Sequence, residues 1–564
     1  MHLLLKSSRG TCDKVNNPFR KEGFWIDLCS NNNLNTFHHK GQVIYVIGTL
    51  LDSLNNSIDF QNSTEKGLGE FANQLNGSFA IIIPRDDKIT VITDAGGSIP
   101  IYYGYGPDGF AVGNKVHHVA KETGLDQVDE ISVADFLINS AVCYPYSWYK
   151  GVFMVPPGSV VSYHKNGKIN KHTYWLPNEP QNILDKNCDL KKWANELNKI
   201  VKNNISKALE GSNKVRVLFS GGEDSRAILG LIPKELDCVP TIVLGHQNRE
   251  YVIAKRAAAL LGYQLERINR RHDYYTSNIM DKIDEIGPGL DFRSSHMYGD
   301  VSNKLCVTDC LVGGYTSDVL FKTHYMGNIK LGTRGSRSKF KIPNPDSIYS
   351  LSSSDQFRKF FNNELIFLVD ERRNKHHQNL KKIRPLTAGN WHMIYPLSNL
   401  KAYAHYLNCL QISSKHVEPF IFSTSYKLAS EMPDFIRLDR KVFRVAFSNS
   451  IGKSGWLPTS GFRIPKIKNE RVNYLYRVLL RNRKKIIKFE YENGYQGAWD
   501  KHHWTWDTVN PIEHINKAGI TQLKMILSKI VKEEYIKSFW AGEKLIRESG
   551  IHVKALSCGY ILNK

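Results

Sequence analysis

Up to about residue 175 the apolar residues come in short β-branched or aromatic runs, broken by turn residues. The stretches QVIYVIGTLL, GSFAIIIPRDDKITVITDAG, IPIYYGYGPDGFAVG and GSVVSYHKNGKINKHTYW read as strands, because such side chains suit a pleated, half-buried surface. Asp86-Asp87, Asp108-Gly109 and Asn166-Gly167 separate these runs at hairpin spacing. Ser132–Ser140 is the exception and predicts a short helix capped by Ser132. A polar stretch, Leu176–Asp189, follows, and then the period changes. LKKWANELNKIVKNNISKAL is an amphipathic helix, VRVLF a buried strand and SRAILGLI a helix. VPTIVLG is the next strand, and REYVIAKRAAALLG the next helix, closed by Gly262. Strands alternating with helices predict a parallel sheet with crossovers. From there to about 470 the pattern is mostly helical. The expected organisation is a first domain over 1–175, a linker over 176–189, a second domain over 190–470 and a basic, aromatic extension over 471–564.

Charge adds a question about partners. The formal net charge is +22. An acidic or polyanionic partner and a plain lysine-rich surface both account for it. The stretch RVLLRNRKKIIK (477–488) interleaves basic and aliphatic residues at helical spacing, which fits a solvated helix face as well as a phosphate-binding stripe. No uncharged apolar run reaches the ~18 residues of a membrane span, and the start, MHLLLKSSRG, is too short in apolar residues for a secretory signal. A cytoplasmic protein is expected. The nine cysteines show no CxxC pair and no zinc spacing, so buried, reduced thiols are expected, Cys306 and Cys310 included.

The candidate chemistry begins at VLFSGGEDSRAIL, Val217–Leu229. A buried strand stops on two glycines and a helix opens at once. The first amides of a helix are unpaired and carry the positive end of its dipole, and glycine lets an anion come close to the backbone. Ser220 and Ser225 add hydroxyl donors, and Asp224 can hold a magnesium ion that neutralises phosphates. Neither the Walker motif nor GxGxxG is present.

The segment Ser220–Ser225, SGGEDS, resembles the SGGxDS pyrophosphate loop of N-type ATP pyrophosphatases, and the rest of the chain resembles asparagine synthetases. GHQNREYVIAKRAAALLGYQLERI places Glu250 before the helix as in that family. LVGGYTSDVLF (311–321) is similar to its second phosphate and metal segment, with Asp318 on the metal-binding aspartate. VEPFIFSTSYKLASEMP and DRKVFRVAFSNSIGKSGWLPTSGFRIPK follow in the family's order, with Arg463 and Lys466 on the final arginine and the catalytic lysine. Lys468 competes with Lys466 for that role. QLNGSFAIIIPRDDKITVITDAGGSIPIYY and VPPGSVV resemble the glutaminase half. The resemblance spans roughly 40 to 470. It implies an α+β glutaminase-like sandwich of the N-terminal-nucleophile (Ntn) type, followed by an α/β PP-loop, adenine nucleotide alpha hydrolase-like synthetase domain. It also implies ATP and Mg2+ as cofactors. Val217, Leu218, Ser220, Gly221, Gly222, Asp224, Ser225 and Gly314 would hold nucleotide and pyrophosphate, and Asp224 and Asp318 the metal.

Two departures shape the functional expectation. Glutaminase domains of this family open Met-Cys, whereas His2 stands second here, and Cys12 lies too far in. A glutaminase fold without glutaminase chemistry is therefore expected. Where asparagine synthetases carry Gly-Glu-Gly, this chain has Gly314-Tyr315-Thr316, which resembles β-lactam and carbapenam synthetases. Lasso-peptide cyclases are the other relatives with a silent glutaminase domain. In the β-lactam and carbapenam enzymes the tyrosine helps to deprotonate an amine. A phenol near pKa ~10 matches that task but needs a charged partner at neutral pH; Glu364 is one candidate. Lys466 would stabilise charge on the collapsing intermediate and departing adenylate.

The expected function is an ATP-dependent ligase that adenylates a carboxylate and couples it to an amine without using glutamine. Lactam or macrolactam formation in peptide or antibiotic biosynthesis fits best. The substrate would be a peptide or a small carboxylate, with room for a partner protein of the same pathway; a membrane is not expected, and nucleic acid is disfavoured. Alternatives are ammonia-dependent amidation of a small carboxylate such as a sugar acid, a tRNA-modifying pyrophosphatase, and a nucleotide-binding, non-catalytic partner subunit. Tyr315 also reads as a packed aromatic at a strand end.

Overall fold

The computed structural model describes residues 2–7, 25–29, 34–39, 42–54, 58–85, 87–245, 247–270, 300–322, 328–331, 340–343, 358–400, 403–413, 415–467, 470–482 and 517–541, with 283, 286–291 and 297. Cys12, Asp86, Lys468 and the basic stretch beyond Asn482 lie outside the described residues. Among the described residues no helix is long and apolar enough to cross a membrane.

The first part is built from eleven strands. They are β1 (His2–Ser7), β2 (Trp25–Cys29), β3 (Leu34–His39), β4 (Gln42–Leu50), β5 (Gly77–Pro84), β6 (Lys88–Thr93), β7 (Tyr102–Gly106), β8 (Gly109–Gly113), β9 (Val152–Met154), β10 (Ser159–His164) and β11 (Ile169–Thr173). They form two antiparallel sheets, in the orders β2-β1-β8-β7-β9 and β11-β10-β6-β5-β4-β3. Side chains alternate between two buried faces. Tyr45, Ile47, Ala80 and Ile82 point into the space between the sheets, where Tyr163 meets Tyr103 and Phe110 of the other sheet. Ile44, Val46, Phe79 and Ile81 point outward, against helix α1 (Glu65–Ala72). Helices α2 (Val116–Thr123) and α3 (Glu130–Asn139) share a core with Ala111 and Val152 on the far side of the other sheet. The result is a helix–sheet–sheet–helix sandwich.

The hairpins expected at Asp108-Gly109 and Asn166-Gly167 form, with Gly109 and Gly167 at positive φ. The helix expected at Ser132–Ser140 starts earlier and is capped by Asp129. Ser132 sits in its first turn and donates to Asp129 Oδ2 at 2.6 Å; Asp129 holds the N-cap position without a side-chain bond to the helix amides, its carboxylate being taken by Ser132 and Arg372.

The second part opens with α4 (Leu190–Leu209), whose cap Asp189 accepts from the Lys191 and Lys192 amides. Then come β12 (Lys214–Leu218), α5 (Glu223–Leu229), β13 (Asp237–Leu244), α6 (Arg249–Leu260), β14 (Glu266–Asn269), β15 (Cys310–Val312), a small hairpin of β16 (Asn328–Leu331) and β17 (Phe340–Pro343), and β18 (His416–Val417). Five strands form a parallel sheet in the order β14-β13-β12-β15-β18. The chain therefore builds outward from β12 in one direction and returns to build in the other, so the order reverses between β12 and β15. Cys310 is buried in β15 as expected, whereas Cys306 is exposed because it lies on the turn before that strand.

The two parts share one core, which runs from Tyr45 and Ile82 to Val217 and Phe422. Polar contacts cross it. Thr49 Oγ1 donates to the His416 carbonyl at 2.8 Å, and Asn76 Nδ2 to Asn204 Oδ1 at 2.8 Å. Arg372 and Arg373, on the helix Asn363–Lys381, reach Asp129 and Asp135 of α3. The stretch 176–189 is held tightly: Arg384 Nη1 donates to the Pro177 carbonyl at 2.8 Å and to the Asn178 carbonyl at 3.1 Å, and Ile183 is buried.

A histidine cluster lies beside these contacts. His376 and His392 pack with ring centroids 5.1 Å apart, and His377 lies 6.1 Å from His392. Burial, reinforced by Arg373, pushes His376 from its ordinary 6.5 down to about 4. The folded state thus favours the neutral ring. Its contribution is complete above the unfolded value and is lost as pH falls from about 6.5 to about 4. We expect the free energy of urea unfolding to drop by about 3 kcal/mol across that window. His376→Gln should flatten the slope, and an equal slope in both proteins would rule His376 out as its source.

Candidate functional site

β12 brings the chain to the carboxyl edge of the sheet, beside the point where strand order reverses. Open α/β sheets bind ligands at such a point. Phe219 closes the core, and Ser220-Gly221-Gly222 turns into α5. Gly221 has φ +68°, and a Cβ there would lie 2.7 Å from the Ala254 Cα of α6, so both the turn and the close packing require glycine. Gly222 caps α5 without a side-chain bond. Ser220 Oγ accepts from the Gly222 amide at 3.2 Å, and Ser225 Oγ donates to the Gly222 carbonyl at 3.2 Å. Val217 is fully buried in the core, so it can offer a ligand only its backbone; Leu218 is half-buried.

β15 lies next to β12 and delivers the second segment. Gly314 passes so close to α5 that a Cβ would touch Ile228 at 3.1 Å and Asp224 at 3.6 Å. The short helix Ser317–Leu320 follows, and Ser317 Oγ donates to Asp224 Oδ1. The two predicted metal ligands, Asp224 and Asp318, are thus brought together, and what joins them is a residue that sequence reasoning passed over. Lys322 Nζ contacts Asp224 Oδ1, stands 3.4 Å from Asp318 Oδ1 and 3.9 Å from Glu223 Oε2. Burial, with Arg440 nearby, drives the Lys322 ammonium well below its usual value, against the pull of Glu223.

Arg440 is a second such residue. Its guanidinium bridges Glu223 Oε2 at 2.9 Å and Asp318 Oδ1 at 3.6 Å. Asp439 and Arg440 both hold positive φ, 55° and 63°, a costly conformation for two successive non-glycine residues. It aims Arg440 at the loop. Arg444 adds a contact to Glu223 Oε1 at 3.9 Å. Burial raises the Glu223 carboxyl, but Lys322, Arg440 and Arg444 outweigh it and hold Glu223 below the usual carboxylate range.

Tyr315 follows Gly314. Its ring packs edge-on to His405 at 5.3 Å, and its amide donates to Glu418 Oε2 at 2.9 Å. Glu418 is fully buried, stands 3.5 Å from His416 Nε2 and lies against Gly313, where a Cβ would come within 1.8 Å of Glu418 Oε1. Glu364, the candidate partner of Tyr315, is exposed on the helix Asn363–Lys381. The carboxylate beside Tyr315 is Glu418, brought there by the pairing of β15 with β18.

The remaining segment is fastened by Arg226. This buried guanidinium donates to the carbonyls of Gly221 (2.9 Å), Ser454 (2.6 Å), Leu457 (2.8 Å) and Pro458 (3.0 Å). It fixes the stretch that leads to Arg463 and Lys466 against the glycine turn Ser220–Gly222. Lys466 Nζ donates to the Ser448 carbonyl at 3.1 Å. Arg463 lies close enough to Lys322 to weigh on its charge. Glu250 is buried in the first turn of α6, whose cap Asn248 accepts from the Tyr251 amide at 3.1 Å.

No curated protein matches this chain. Solved structures that resemble it weakly include two enzymes. Glutamine phosphoribosylpyrophosphate amidotransferase from B. subtilis, complexed with ADP and GMP, is 12% identical over 33% of this chain and 43% of its own, with a TM-score of 0.17. A structure described as the allosteric regulatory enzyme of purine biosynthesis is 12% identical over 42% of this chain and 62% of its own, also with a TM-score of 0.17. The chain thus spans less than two thirds of either structure. A family model of the glutamine amidotransferase domain matches residues 60–175, which hold most of the double-sheet sandwich. This chain carries a glutamine amidotransferase-like domain in its N-terminal part.

Proposed function

We propose that the protein is an ATP-dependent, AMP-forming amide ligase that activates a substrate carboxylate and couples it to an amine without hydrolysing glutamine. The observation that carries this reading is the meeting of the glycine turn Ser220–Ser225 and the segment Gly314–Asp318 where the parallel sheet reverses its strand order. That arrangement suits a polyphosphate chain: backbone amides and glycines on one side, carboxylates and arginines on the other. The amidotransferase-like first domain agrees with amide chemistry.

Magnesium fits this reading. A single cation, the Lys322 ammonium, already reaches both Asp224 and Asp318, so the two carboxylates can address one ion. Asp318 is about half exposed and open to a metal that arrives on phosphates. Bound there, Mg2+ would neutralise the departing pyrophosphate. In this reading the Tyr315 phenol would receive a proton from the attacking amine, with Glu418 reaching the Tyr315 backbone amide, Arg440 would meet charge on the adenylate, and Lys466 would do so only on leaving the Ser448 carbonyl. A ring-closing reaction on a peptide or small carboxylate, of the kind that makes lactams in antibiotic pathways, suits the tyrosine.

Cys143 in the first part is buried, and burial, only partly opposed by Arg373, pushes its thiol up to about 12, so this cysteine is no candidate nucleophile. In the proposed reading, pyrophosphate release from ATP depends on a carboxylate substrate, ignores glutamine, and persists in Cys143→Ala. Glutamate formed from glutamine during turnover would overturn the claim. No release with any of a panel of acid-bearing peptides and small acids, nucleotide binding being intact, would favour a non-catalytic partner subunit.

A further inference from the structure

We propose that Lys322 is a built-in cation that keeps the Asp224–Asp318 pair closed to free divalent ions, so that metal enters this site only on a nucleotide. The final clause rests on the nucleotide reading above; the exclusion of free metal does not.

Lys322 is wholly enclosed, its side chain only 1% exposed. Its ammonium contacts Asp224 Oδ1, with Asp318 Oδ1 at 3.4 Å and Glu223 Oε2 at 3.9 Å. Another side is covered by the Phe443 ring, 4.0 Å from Nζ to the centroid, which favours a cation through its quadrupole. Arg440 and Arg444 supply further positive charge to Glu223 and Asp318. Three carboxylates thus face Lys322, Arg440 and Arg444, with Arg463 close enough to weigh on Lys322. A hydrated divalent ion meets no uncompensated charge there. To bind, it would have to displace a desolvated ammonium while two guanidinium groups repel it. Mg2+ also demands near-octahedral oxygen coordination and gives up water reluctantly. Among the described residues no group of three or more His, Cys, Asp or Glu side chains is placed to hold a metal.

A metal carried by a triphosphate meets different conditions. The phosphates provide most of its ligands and bring negative charge that Arg440 and Lys322 can receive, so the carboxylates need give up only part of their contact with the cations. Tethering the cation thereby selects the metal–nucleotide complex over its parts.

The test is Mn2+ binding to the full-length protein, followed by electron paramagnetic resonance without nucleotide. The wild type should bind no Mn2+ at this site. Lys322→Gln should gain a site that binds on the order of tenfold to a hundredfold more tightly than anything in the wild type, and Asp224→Asn in that background should remove it. Lys322→Arg, which keeps the charge, should stay closed. Wild-type binding that Asp224→Asn abolishes would overturn the proposal without any Lys322 variant having to fold. A folded Lys322→Gln that gains no site would do so as well. Adding ATP separates the two claims: exclusion of free Mn2+ with no nucleotide-borne Mn2+ bound would leave the built-in cation standing and sink the nucleotide reading.

Discussion

Asp224→Asn is expected to slow ATP-dependent pyrophosphate release by about a hundred- to a thousandfold, a loss to be read on protein shown to be folded, because the substitution also removes a partner of the buried Lys322 ammonium. The substitution keeps size and shape but removes the charge at the centre of the site. Asp224 Oδ1 accepts from Ser317 Oγ and from Lys322, so it joins the glycine turn to the segment Gly314–Asp318 as well as addressing cations. Asparagine can retain the Ser317 contact, but it leaves the buried ammonium with one carboxylate fewer. The loss should fall on turnover more than on nucleotide affinity, because backbone amides and glycines remain to hold phosphates. Stopped assays of pyrophosphate, with nucleotide binding measured in parallel, check this. Release within a few-fold of the wild type would mean that the reacting phosphates lie elsewhere.

Arg226→Met should cost about 3–5 kcal/mol of unfolding free energy. Methionine fills much of the same volume but donates nothing. Four carbonyls, those of Gly221, Ser454, Leu457 and Pro458, would lose their donor in a buried place, and each unsatisfied group is costly. Burial already lowers the Arg226 pKa to about 10, against the attraction of Glu223, which shows how far this charge is removed from water. Urea titration gives the stability. Limited proteolysis gives the location, because cleavage between residues 452 and 467 should appear before cleavage in the sandwich. Unchanged stability would show that the guanidinium is not what fastens that segment.

The sequence was most legible where local chemistry dictates the backbone. A buried strand ending on Gly221-Gly222 leaves few alternatives, and the helix closed by Gly262 ends as its left-handed glycine requires. The turns at Asp108-Gly109 and Asn166-Gly167 were equally plain. Helix α1 escaped notice because Gly67 and Gly69 oppose helix formation; it forms because its buried residues cover the outer face of a sheet. Glu418 could not be read as the neighbour of Tyr315, since the two lie 103 residues apart and meet through the pairing of β15 with β18. Lys322 and Arg440 were invisible for a related reason. A lysine after an apolar run, or an arginine in a basic stretch, looks like a surface residue until the fold encloses it. Lys466 shows the converse: its position in the chain suggests a role, but its ammonium is engaged by the Ser448 carbonyl.

Arg384 grips the backbone at Pro177 and Asn178, and the Ile183 carbonyl accepts from the Asp434 amide. The passage between the two halves is thus woven into the second half. A cut at residue 176, however natural it looks in the sequence, would sever packing on both sides. It would leave Tyr406 facing water where Ser78 had been, and Arg372 without Asp129. For anyone swapping modules between related chains, the transferable unit is not either half but the pair, with the seam carried along.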